Sequence, residues 1–147
     1  MDNELNPAGK LNFLIGKWRL IYDVPESIFS KKDKGEGTGE FKYILNTKFV
    51  SFDYSSELNS GRSSAHGIFG WDEKINAYKY WWFEDSGSFQ TATCNFIGDD
   101  TLYMNWNDTL LVQSFKKESS EKVILEMRYP SSKSGYNVIL KVEMTKL

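Results

Sequence analysis

Asn137-Val138-Ile139-Leu140-Lys141-Val142-Glu143-Met144 sets the reading of the chain. Val138, Leu140, Val142 and Met144 alternate with Asn137, Ile139, Lys141 and Glu143. Successive side chains of a strand point to opposite faces, so a period of two marks a strand with one face in a core. The preceding segment repeats it, with Val123, Leu125, Met127 and Tyr129 against Lys122, Ile124, Glu126 and Arg128. Near the N-terminus Trp18, Leu20, Tyr22 and Val24 alternate with Arg19, Ile21 and Asp23. Phe41, Tyr43 and Leu45 then alternate with Glu40, Lys42 and Ile44.

Turn-forming clusters separate these runs: Lys34-Gly35-Glu36-Gly37, Asn59-Ser60-Gly61, Ser86-Gly87, Gly98-Asp99-Asp100, Asn107-Asp108, Glu118-Ser119-Ser120 and Ser134-Gly135. A spacing of roughly 8–15 residues predicts a meandering antiparallel sheet, closed as a barrel or folded as a sandwich. Helix is expected only over Pro7–Leu14, with Asn6 as cap, Pro7 in the first turn and Gly16 to end it. Pro25–Gly39, rich in Lys, Gly and Ser, reads as a loop and a candidate lid. Neither a repeat nor a linker interrupts the 147 residues, so residues 1–147 read as one domain.

Composition narrows the function. Five Trp, eight Tyr and ten Phe bring aromatics to 16%, which excludes disorder and suits a binding or structural domain. A net charge of −2 argues against a nucleic-acid partner. Cys94 is the only cysteine, so neither an intrachain disulfide nor a Cys-rich zinc site can form. No metal or cofactor is expected, because His66 is the only histidine and Gly35-Glu36-Gly37-Thr38-Gly39 lacks the strand and helix that flank a phosphate loop. No apolar run approaches the roughly 20 residues of a membrane-spanning helix, so no membrane association is expected. Met1–Pro7 lacks the basic and apolar regions of a signal peptide, so a cytoplasmic location is expected.

Three stretches carry a family resemblance. Leu14-Ile15-Gly16-Lys17-Trp18 places Gly-x-Trp at the start of the first strand, after a helical turn, as lipocalin-like barrels do. Gly67-Ile68-Phe69-Gly70-Trp71-Asp72-Glu73-Lys74-Ile75-Asn76-Ala77-Tyr78-Lys79-Tyr80-Trp81-Trp82-Phe83-Glu84-Asp85-Ser86-Gly87 resembles the Gly-aromatic-Asp hairpin of a bacterial family described as a domain of unknown function. Ile44-Leu45-Asn46-Thr47-Lys48-Phe49-Val50 is similar to that family's Leu-Gly-Gly-Arg-Phe-Leu element, with Asn46-Thr47 where the family has glycines. The resemblance implies a calycin-like (lipocalin-like) antiparallel β-barrel, which with the strand pattern gives about ten strands after a short helical turn. Calycins hold small apolar ligands inside the barrel. The haem-binding nitrobindin type uses a His near its C-terminus, which this chain lacks.

The expected function is binding of a small apolar or aromatic molecule in the interior. Trp18, Tyr43, Tyr80, Trp82, Asn95, Met104, Trp106 and Arg128 are the candidate ligand-binding residues. The aromatics and Met104 would form the wall, while amides such as Asn95, Asn105 and Gln113, or Arg128, would meet a polar end. An alternative is a barrel enzyme (isomerase, cyclase or hydrolase) with His66 as acid or base, because imidazole titrates near neutrality. No Gly-x-Ser-x-Gly elbow presents a serine beside it. A third reading is a non-catalytic homodimer. Tyr78, Tyr80 and Trp82 occupy one face of their strand and Lys79, Trp81 and Phe83 the other, more apolar than a strand with one wet face. Glu84-Asp85 reads as a solvated strand end, since adjacent strand residues diverge.

Overall fold

The computed structural model describes residues 6–131 and 135–147. A 3-10 helix, Pro7–Leu14, precedes ten strands: β1 (Gly16–Val24), β2 (Asp33–Ile44), β3 (Phe49–Leu58), β4 (Gly61–Asp72), β5 (Ala77–Glu84), β6 (Phe89–Ile97), β7 (Thr101–Trp106), β8 (Val112–Ser119), β9 (Lys122–Ser131) and β10 (Gly135–Lys146). Each strand pairs antiparallel with the next, and β1 also pairs with β10, closing an all-β barrel. Closure leaves no unpaired edge, which removes the commonest route to aggregation of a β-protein.

The 3-10 helix seals one end. It packs on β3 and β4. Tyr78 donates its hydroxyl proton to the Pro7 carbonyl at 2.6 Å, and Asn6 donates through Nδ2 to the Thr47 carbonyl at 2.9 Å. Asn6 thus ties down the β2–β3 turn instead of capping the helix with its side chain. Leu11, Leu14, Trp18 and Phe69 fill this end and are buried. The Trp18 indole donates to the Leu14 carbonyl at 2.7 Å, so this buried polar group of the floor is paired.

The structure departs from the sequence reading at three places. The first is β10. Val138 pairs with Arg128 but Leu140 pairs with Met127, with a bulge at Ile139 between them. An extra residue inverts the faces beyond it, so Val138 leaves the row of Leu140, Val142 and Met144. The second is the expected loop, which spans only residues 25–32 before β2 begins at Asp33. Gly37 lies inside β2 for want of room: a Cβ there would stand 2.0 Å from the Ser55 carbonyl oxygen. A glycine cluster that reads as a turn is here a close approach of two strands. The third is the β2–β3 turn, where Leu45, Asn46 and Thr47 take φ of 50°, 59° and 60°. Asn46 and Thr47, where the resembling family has glycines, therefore adopt a conformation that favours glycine. Ser134 of the expected Ser134-Gly135 turn and the reading of Met1–Leu5 fall outside the described residues, and Gly135 opens β10.

Among the described residues, no helix is long and apolar enough to cross a membrane.

Candidate functional site

The inner surface changes character toward the end opposite the helix. Along β1 the inward residues run Trp18, Leu20, Tyr22; along β3, Val50, Phe52, Tyr54, Ser56; along β5, Tyr78, Tyr80, Trp82. A cavity of about 80 Å³ lies here. Leu20, Tyr22, Phe52, Tyr54, Tyr80, Trp82, Trp106, Gln113, Phe115, Leu125, Met127, Leu140, Val142 and Met144 line it. The Tyr80 and Trp106 ring centroids lie 5.8 Å apart at 74°, and those of Trp82 and Trp106 6.1 Å apart at 77°. Edge-to-face contacts of this kind hold aromatic walls rigid.

The polar groups in this wall are partly paired. Trp82 donates its indole N–H to the Tyr54 hydroxyl oxygen at 2.8 Å, and Trp106 donates to Gln113 Oε1 at 3.1 Å. Tyr22 shares a hydrogen bond with Ser56. The Tyr80 hydroxyl and the Gln113 amide nitrogen have no hydrogen-bond partner among the described residues, although Tyr80 is only 4% and Gln113 only 7% exposed. No fully sealed side-chain nitrogen or oxygen among the described residues lacks a partner, so these two groups border open space. Burial pushes the Tyr22 phenol up to about 12 and raises Tyr54 and Tyr80 as well. All three stay protonated at neutral pH and can donate. Gly67 makes room for Tyr80, since a Cβ there would lie 1.9 Å from the phenol oxygen.

Of the eight candidate ligand residues, Tyr80, Trp82 and Trp106 come together around this cavity. Trp18 and Met104 are fully buried and do not line it. Tyr43 stands at the closed rim, its hydroxyl 3.3 Å from Asn12 Oδ1. Asn95 is exposed and pairs with Tyr103 on the outer face, away from the inward Cys94. Arg128 also faces outward, where it pairs with Glu126. Neither can meet a ligand inside. Asn105 is exposed, whereas Gln113 reaches the interior. Tyr22, Phe52 and Tyr54 also line the cavity and are not among the candidates, although the alternations Trp18, Leu20, Tyr22 and Val50, Phe52, Tyr54 mark them as inward.

His66 is on the outer face. Its Nδ1 lies 2.5 Å from Asp53 Oδ1, across the β3–β4 pair. The pair borders an open groove of about 710 Å³ over β2–β5 with Lys17, Glu40, Ser64, Phe83 and Asp85. Most of that volume is solvent-facing, whereas the smaller interior cavity is walled on most sides, which is why the interior is the better candidate. Any acid–base work by His66 would take place outside the barrel, without the water exclusion expected of its interior. Phe83 pairs with Phe89 on this outer surface, 48% and 70% exposed, and Trp81 is half-buried beside them.

No protein-family model and no curated protein matches the chain. Among the solved structures similar to it are two full-length barrels. The crystal structure of Rv2717c from M. tuberculosis superposes with a TM-score of 0.66 at 11% identity, over 96% of this chain and 98% of that one. The S-type phycobiliprotein lyase CPES from Guillardia theta gives 0.59 at 9% identity, over 99% and 91%. The likeness is one of fold. It is consistent with the calycin-like barrel that the sequence resemblance implies.

Proposed function

We propose that the protein binds a small apolar or aromatic molecule in the half of the barrel away from the 3-10 helix. The observation that carries this reading is a nearly enclosed aromatic cavity whose wall holds two buried, unpartnered donors, on Tyr80 and Gln113. A merely structural core pairs its buried polar groups or omits them. A ligand would supply the missing partner and gain the apolar contact of Phe52, Trp82 and Trp106.

Entry is from the open end. Residues 25–32 lie there, and Phe29 packs edge-on against Tyr129 with ring centroids 4.7 Å apart. Ile28 is 84% exposed, so the loop gives up little buried surface if it moves aside. At about 80 Å³ the cavity is smaller than the roughly 150 Å³ that suffices for benzene. Occupancy by a ring therefore requires neighbours to give, and Met127 and Leu140 are placed to do so, the unbranched Met127 most readily. The test is native mass spectrometry of the protein from its own host, followed by denaturing extraction. A copurifying small molecule supports the reading. An empty protein that also fails to take up single-ring probes overturns it.

A second reading rests on the Asp53–His66 pair, which could hold imidazole as an acid or base at the outer groove. Loss of turnover in His66→Ala with interior binding intact would assign activity to the outer face.

A further inference from the structure

We infer that the ligand of the interior site is neutral and presents a hydrogen-bond acceptor, of the carbonyl type, on a body of about one ring. The inference rests on the interior-binding reading and adds the ligand's chemical class. It follows from the lining. No Asp, Glu, Lys, Arg or His contributes to the cavity wall. An anion there would have no cation to face, and a cation no carboxylate; an unpaired buried charge is costly. The site therefore selects against ions.

The polar groups that remain are uneven in kind. Gln113 Oε1 is already occupied by the Trp106 indole, and the Tyr54 oxygen by the Trp82 indole. Left over are the Tyr80 O–H, the Gln113 amide N–H groups and the Tyr54 O–H, and of these groups the Gln113 nitrogen is the one that cannot accept. An amide nitrogen can only donate. Acceptors on the ligand would satisfy these donors; a hydrocarbon of the same shape would leave both unpaired, and a ligand donor would leave the Gln113 nitrogen unpaired. Trp106 contacts the Tyr80 ring and bonds Gln113 Oε1, so both residues stand beside one indole. That indole and Trp82 then stand as the edge and face against which a flat ring rests.

The experiment compares three probes of similar size by quenching of tryptophan fluorescence: acetophenone, ethylbenzene and benzoate. It uses the full chain and its Tyr80→Phe variant, which keeps the ring and removes only an unpartnered hydroxyl. Acetophenone is expected to bind about tenfold tighter than ethylbenzene, the factor that about 1.4 kcal/mol of hydrogen bonding supplies, with benzoate weakest. Tyr80→Phe is expected to remove most of the preference for acetophenone while leaving ethylbenzene unchanged. Equal binding of acetophenone and ethylbenzene would overturn the inference and leave interior binding standing, as would a preference for benzoate. Failure of all three to bind would overturn both. A Gln113→Leu variant gives a second, independent check, since it removes the other donor and should narrow the same preference.

Discussion

Around the 3-10 helix the interior holds Leu11, Leu14, Trp18 and Phe69, all closely packed, and the polar groups of Trp18 and Tyr78 are spent on backbone carbonyls. Toward the open end it holds Tyr22, Tyr54, Tyr80, Trp82 and Gln113 around empty space, with donors left over. Both halves are built from the same ten strands and are about equally aromatic. They differ in whether polar atoms are used up by the fold. In the sealed half each aromatic group contributes stability through complete packing. In the open half Tyr80 and Gln113 keep donors that no described protein group uses and that border open space. The packed core and the proposed ligand site thus lie toward opposite ends of one barrel.

Substitutions can break this contrast. Phe69→Ala in the sealed half should lower unfolding free energy by about 3–5 kcal/mol, measured by urea denaturation. Tyr80→Phe, at the residue paired directly across from Phe69, should change it by less than about 1 kcal/mol because no protein hydrogen bond is lost. Equal losses would show that the halves are energetically alike.

Alkali should act next most strongly. The buried Tyr22 phenol is raised above its unfolded value of 10.0 to about 12. A raised folded value means full stability below pH 10, and loss as pH climbs toward the folded value because the unfolded phenol ionises first. The loss from this group alone is on the order of 2 kcal/mol. Phenolate absorbance and far-ultraviolet circular dichroism followed together from pH 9 to 12 should show the buried phenols ionising with unfolding. Ionisation of these phenols in a still-folded barrel would mean that the open half is wetter than described.

Gly67→Ala sharpens the contrast inside the open half. The added methyl collides with the Tyr80 phenol, so thermal denaturation should show a loss of about 1–3 kcal/mol. Truncating the neighbour in Gly67→Ala/Tyr80→Ala should make the methyl itself nearly harmless relative to Tyr80→Ala. The smallest effect is expected at the sealed end. Thr47→Gly relieves a φ of 60° and should raise stability by about 1 kcal/mol, provided the Asn6 bond to the backbone carbonyl is kept.

Much of the barrel was legible because alternation survives wherever one face is buried. Trp18-Leu20-Tyr22 and Val123-Leu125-Met127 declare their inner faces outright. Ile139 and Gly37 were not legible. A bulge leaves no mark among consecutive apolar residues, and a glycine required by strand proximity looks like one required by a turn. At the site, Tyr80, Trp82 and Trp106 were readable as an aromatic wall, whereas Asn95 and Arg128 were not separable from Gln113 by residue type alone. Alternation had already suggested that Arg128 points outward. That His66 faces Asp53 depends on cross-strand register, which the sequence does not state.

The most direct test is a ¹⁵N–¹H spectrum of the five tryptophan indoles during titration with acetophenone. Trp82 and Trp106 line the cavity, Trp18 seals the far end, and Trp81 lies on the outer face. The account predicts that the Trp82 and Trp106 signals move together and saturate while those of Trp18 and Trp81 stay fixed. Saturable movement at Trp81 alone, or no movement at Trp82 and Trp106, would contradict it.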